Sequence, residues 1–180
     1  MKGAAVADSS IDAFRHNAWA TTKLLEFCKG LSERELDASD STGTFGSIMD
    51  TLRHFVTSEG YYRFLVSGSW PNWEWSRDET PGFDVLEERA KDNEQFWEGF
   101  LSSGVDPDAP VIQKESDGKE NETTVGVIIA QILNHGNDHR SQVSMMITQL
   151  GKEPPDLQAW AYSEATGRSV VRSTSTSNSG

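Results

Sequence analysis

His135 and His139 stand four residues apart in Asn134-His135-Gly136-Asn137-Asp138-His139, the spacing that stacks two side chains on one face of a helix. Their Cβ atoms would then lie roughly 6 Å apart, and two neutral imidazoles at that separation can converge on one divalent ion. Both continue an apolar stripe formed by Val125, Ile128, Ile132, Val143, Met146 and Leu150, so they occupy positions where a helix faces its core. A buried polar group without a partner costs roughly 1–3 kcal/mol, and a shared cation would satisfy both rings. His54 supplies a third imidazole, on a helix face with Thr51, Ser58 and Tyr61. Three imidazoles with one open position would hold an ion able to polarise water or to bind a thiolate or carbonyl. The donor set does not select the metal, because imidazole suits Zn, Ni, Cu and Fe alike. A hydrogen-bonded core network without metal is the competing use of the same three residues.

The elements that must position these residues are helical. Phe14, Thr21, Leu24, Leu25, Cys28 and Leu31 recur at three- and four-residue intervals and predict a helix from about Ser10 to Gly30, with Ser9 or Ser10 as N-cap. Ser32 and Glu35 have capping-box spacing for one short extra turn, and Asp37 to Gly43 reads as a loop. Ile48, Leu52, Phe55, Tyr62 and Leu65 mark a second helix over about 46–66, stopped by Gly68. Leu86, Ala90, Asn93, Trp97, Phe100 and Leu101 mark a third over about 83–101, and the fourth runs from near Thr124 to Gly151, ahead of Pro154-Pro155. Two connectors are long for helical hairpins. One holds Trp70, Trp73 and Trp75, which either lid the site or pack across the bundle end; the other contains the extended pair Val111-Ile112 and the turn Ser116-Asp117-Gly118-Lys119. Asp156 to Glu164 forms a short closing turn or helix. The expected architecture is all-α, a four-helix bundle with crossover connections. A single domain covers residues 1–167, and the Ser- and Thr-rich residues 168–180 form a disordered tail.

Composition narrows the partners. The chain of 180 residues carries 28 acidic and 16 basic side chains and a formal charge of −12. That field repels nucleic acid and anionic membrane surfaces, and no apolar run approaches the roughly 18 residues of a membrane span. Cys28 is the only cysteine, which excludes an internal disulfide and points to a reducing, cytoplasmic setting. On its apolar stripe it reads as a small core hydrophobe. His16 is offset from that stripe and is set apart from the site.

Four segments, taken in order, resemble the DinB-like family of four-helix-bundle metalloproteins. His16-Asn17-Ala18-Trp19-Ala20 with Leu24-Leu25 is similar to the family's opening helix. Leu52-Arg53-His54-Phe55, followed by Glu59 and Tyr62, is similar to its second-helix segment. Asn134 to Gln142 resembles the last-helix motif, in which two histidines four apart precede a small residue and Gln. Gly151-Lys152-Glu153-Pro154-Pro155-Asp156, with Leu157 and Trp160, resembles the usual ending. The resemblance spans most of Ile11 to Tyr162. It implies a His54, His135, His139 triad holding Zn or Ni, with hydrolase or low-molecular-weight-thiol transferase chemistry.

Two functions are compatible with these residues. In the first, a metal-dependent enzyme activates a thiol co-substrate or water for attack on a small-molecule substrate beneath the Trp70–Trp75 loop, with Glu59 or Tyr61 assisting proton transfer. Glu59, five residues from His54, lies about 140° around the helix from it at roughly 100° per residue, so no acid or base stands unambiguously beside the triad. That gap motivates the second function, a non-catalytic metal- or ligand-binding stress-response module. Exposed Trp clusters are compatible with a homodimer.

Overall fold

The computed structural model describes residues 3–39, 45–73, 80–114 and 117–170, with side chains from residue 10 onward. Six helices and one hairpin follow in the order α1 (Gly3–Cys28), α2 (Glu33–Leu36), α3 (Ile48–Ser67), α4 (Phe83–Ser102), β1 (Pro110–Lys114), β2 (Glu120–Thr124), α5 (Val125–Gln149) and α6 (Ala159–Ala165). Of these, α1, α3, α4 and α5 form the bundle. α1 packs on α4 and α5, and α3 packs on the same two from the other side. The α1-to-α3 and α4-to-α5 connections therefore cross the bundle, whereas the Trp-rich connector after α3 joins neighbours.

Local chemistry explains the boundaries. The Ser32–Glu35 capping box is present at α2. A second one opens α3, where Ser47 Oγ accepts from the Asp50 amide and the Asp50 carboxylate accepts from the Ser47 amide. This start is one to two residues later than the periodicity predicts, because Ser47 satisfies the free amides of the first turn. Gly68 closes α3 at φ 71°, and Gly151 follows α5 at φ 75°, left-handed conformations that glycine adopts without penalty. α1 begins well before the predicted Ser9 or Ser10 cap, since Ala4, Ala5 and Ala7 favour helix strongly and carry the pattern back to Gly3. The extended pair Val111-Ile112 belongs to a full hairpin with β2, in which Val111 pairs with Thr123 and Ile112 with Glu122. The short closing helix is α6. Parts of the predicted 37–43 loop, Trp75, Ser116 and most of the predicted tail lie outside the described residues.

The core is divided. One apolar cluster joins Leu24, Leu25, Cys28, Leu52, Phe55, Leu86 and Met146; the other joins Phe14, Trp97, Leu101, Val111, Ile128 and Ile132. Trp97 anchors the second at 1% exposure, and a buried Trp removes roughly 150–250 Å² from water, about 4–6 kcal/mol at ~25 cal/mol/Å². Between the clusters every bundle helix contributes buried polar side chains: Asn17 and Thr21 from α1, Glu59 and Arg63 from α3, Arg89 and Asn93 from α4, His139 and Arg140 from α5. No helix among the described residues is long and apolar enough to cross a membrane.

Cys28 lies at 0% exposure in the first cluster, and burial pushes its thiol up to about 12. Because the thiolate is the reactive species, a disulfide reagent at pH 8 is expected to leave Cys28 unmodified in the native protein and to titrate one thiol after unfolding. Rapid labelling of the native protein would contradict this packing.

Candidate metal centre

α5 presents His135 and His139 one turn apart, and α3 packs against it with His54 opposite. The ligand atoms of the three rings all lie within 4.8 Å of one another. His54 Nε2 and His135 Nε2 are 3.1 Å apart. Two nitrogens sharing an ion at bond lengths of 2.0–2.1 Å, with angles between octahedral and tetrahedral, are separated by roughly 2.8–3.4 Å. The His54–His139 and His135–His139 rings meet nearly edge to face, at 80° and 79°, instead of stacking. The donor set, its separation and its geometry therefore fit a divalent ion. His139 Nδ1 lies 2.8 Å from Gln142 Oε1. With Nδ1 donating to that carbonyl, Nε2 is left as the lone-pair nitrogen facing the cluster.

Aromatic rings wall the cluster. Phe45 stacks on His54 with centroids 3.6 Å apart, and Phe55 lies parallel to His139. The edge of Tyr62 meets His135 at 5.7 Å. Burial lowers the affinity of His54 and His135 for protons, and the neighbouring histidines add to it; His135 falls to about 4, partly opposed by the charge of Asp138. Both rings are thus held in the neutral form that ligates metal.

Below this cluster runs a buried polar bridge. Asn17 Nδ2 donates to Glu59 Oε1 at 3.0 Å, and Asn17 Oδ1 accepts from Arg140 Nη1 at 2.7 Å. Arg140 Nη1 also donates to Thr21 Oγ1 at 3.2 Å. Burial raises the carboxyl of Glu59, against the pull of the Asn17 hydrogen bond and the Arg140 and Arg63 charges, and lowers Arg140 to about 10. A β-carbon on Gly136 would come within 2.8 Å of Asn17 Oδ1 and 2.9 Å of Arg140 Nη1, so glycine here permits α5 to approach α1.

The DinB family model matches residues 6–174. The chain belongs to the DinB family. No curated protein sequence matches it. In this DinB-family chain the structure brings together the three histidines that the sequence singles out, and it disposes of the other candidates in different ways. Glu59 faces inward and joins the polar bridge. Tyr61 lies two helical turns beyond His54, about 10 Å along the axis, and its hydroxyl accepts from Gln113 Nε2 of β1 at 2.7 Å. The tyrosine packed on His135 is its neighbour Tyr62. His16 sits 2.8 Å from the Leu157 carbonyl, among Trp19 and Tyr162, where it ties α1 to the segment before α6.

The Trp-rich connector takes the packing alternative in its described part. Trp73 lies against Gly60, where a β-carbon would meet it at 2.6 Å; its Nε1 donates to Asp92, and the Arg63 and Arg89 guanidiniums lie over its ring. Trp70 stacks on Phe64. The ring that covers His54 is Phe45. Nothing in the sequence pattern marks Phe45, which the loop ahead of α3 delivers. Gln142 carried a signal, since a side chain three residues after His139 lies one turn away on the same face.

Gly136 supplies a test of this packing. Alanine would gain about 1 kcal/mol of helix propensity at an open position, but here it must displace two buried, hydrogen-bonded atoms, and overpacking costs roughly 1–3 kcal/mol. Gly136→Ala is expected to lower the midpoint of thermal unfolding, by ~2–4 °C per kcal/mol lost. A raised midpoint would contradict the close approach of α5 to α1.

Proposed function

We propose that this DinB-family protein is a metal-dependent enzyme of the thiol S-transferase or hydrolase type, with a divalent ion, Zn or Ni, held by His54, His135 and His139. The observation that carries the reading is the convergence of three imidazoles, two of them with Nε2 atoms 3.1 Å apart. When bound, such an ion supplies Lewis acidity, lowering the pKa of a thiol or water in the open position. Gln142 fixes the orientation of His139. Phe45, Phe55 and Tyr62 make the surroundings aromatic, which restricts water around the rings and suits an apolar portion on a small electrophile.

One observation favours a second reading, a non-catalytic metal- or ligand-binding module acting in a stress response. Glu59 is committed to Asn17, and Tyr61 accepts from Gln113, so neither of the two acid–base candidates from the sequence stands ready at the histidines. In that case the ion, or an apolar pocket, only stabilises the bundle or senses a ligand.

Protein purified without chelators is expected to carry close to one transition-metal ion per chain by elemental analysis, and His135→Ala is expected to lose it. At a metal concentration of 100 Kd the bound ion adds about 2.7 kcal/mol of stability, roughly 5–10 °C in midpoint for a chain of this size. A chelator should reverse that gain. An unchanged midpoint with no bound metal would sink the enzyme and the metal-binding module in favour of a metal-free histidine network. Turnover of alkylating or halogenated electrophiles with bacillithiol, mycothiol or glutathione, above a His54→Ala background, decides for the enzyme; metal without turnover decides for the binding module.

A further inference from the structure

α1 and α3 face each other across the bundle, and their mid-bundle link is made by side chains. Asn17 is 3% exposed and uses both ends of its amide, donating to the Glu59 carboxylate and accepting from the Arg140 guanidinium. An amide suits this place because it donates toward an acceptor and accepts from a donor at once, where a carboxylate only accepts. It therefore couples a buried guanidinium on α5 to a buried carboxyl group on α3. A buried charge left without its partner is strongly destabilising, so the bridge holds all three helices at a fixed register.

On α5 the bridge adjoins the ligands directly. Gly136, which meets Asn17 most closely, directly follows His135; Arg140 directly follows His139; Glu59 lies five residues beyond His54 on α3. We infer that Asn17 is a positioning residue for the three-histidine site: by joining Arg140 to Glu59 it sets the depth at which the His135–His139 turn meets His54. The inference rests on the reading of these histidines as metal ligands. A drift of α5 by 1 Å relative to α3 would take the nitrogens out of the separation that a shared ion requires, and supports of this kind are worth roughly 10–100-fold in metal affinity.

Co²⁺ alone is the probe, added to full-length, metal-free protein and followed by its visible absorption bands, which are intense in four-coordinate and weak in six-coordinate sites. Asn17→Asp removes the donor and sets a second carboxylate beside Glu59. It is expected to weaken Co²⁺ binding at least ~10-fold and to change the bands. Asn17→Asp combined with Glu59→Gln rebuilds the chain in reverse, with residue 17 now accepting from both Arg140 and the new amide. That pair is expected to restore affinity to within about threefold and to recover the wild-type bands, a rescue that a role confined to stability does not predict.

Wild-type affinity and bands in folded Asn17→Asp would overturn the inference, as would a folded double variant no better than the single one. If Asn17→Asp fails to fold, Thr21→Val, which removes only the second acceptor of Arg140, decides: about threefold weaker binding supports the inference, and unchanged binding overturns it. A wild-type protein that takes up no Co²⁺ overturns the metal reading itself, an outcome distinct from wild-type binding shared equally by the variants.

Discussion

The middle of this bundle buries a guanidinium, a carboxylate and an amide that bond in series, from Arg140 through Asn17 to Glu59, between two apolar clusters. Apolar packing alone tolerates sliding of helices past one another, because one aliphatic side chain substitutes for the next. The polar layer does not. A shift of one turn, 5.4 Å, would set Arg140 opposite Phe14 and Asn17, or opposite Thr21 and Leu24, with an apolar side chain in place of one of its two acceptors. The buried charge would then lose an acceptor, and leaving a buried donor unsatisfied costs about 1–3 kcal/mol. Helix depth is therefore fixed where the histidines are.

That constraint separates support from chemistry. Asn17, Glu59 and Arg140 hold the helices from beneath, Gly136 allows the close approach they need, and Gln142 orients the ring of His139. The histidines are left with their ring nitrogens close to one another, and Phe45, Phe55 and Tyr62 lie around them. A cluster of three polar rings on a core face is costly unless something completes it, and the ligand type and spacing present could hold a divalent ion. The −12 formal charge does not enter this arrangement, since the acids of α4 such as Glu87, Glu88 and Glu94 belong to the outer surface or its margin.

Much of the architecture was legible in the sequence because four apolar stripes at helical spacing, stopped by Gly68 and Gly151, leave few alternatives to a bundle. The triad was legible for a related reason: His135 and His139 interrupt an apolar stripe, and His54 lies on the face of its helix that meets them. Periodicity did not reveal the partners of Glu59, because it assigns a residue to a face without saying which helix lies opposite. The face assigned to Glu59 allows a proton-transfer role, and its carboxyl group accepts from Asn17 in the buried bridge. The tyrosine adjoining His135 is Tyr62, one position from the expected Tyr61, a difference of about 100° around the helix that is decided by how α3 is rolled against α5. Phe45 and the second strand of the hairpin arise from loop geometry and cross-strand pairing, which the chemistry of single residues does not encode.

The central claim is that His54, His135 and His139 act as one ligand set. X-ray absorption at the metal edge of the loaded full-length protein tests it most directly, because it reads ligand type and distance together. The account predicts a first shell containing three imidazole nitrogens at about 2.0–2.1 Å, with outer-ring scattering reduced by one imidazole in each single His→Ala variant that still binds. A first shell of oxygen ligands alone, with the imidazole signature absent in the wild type, would contradict it.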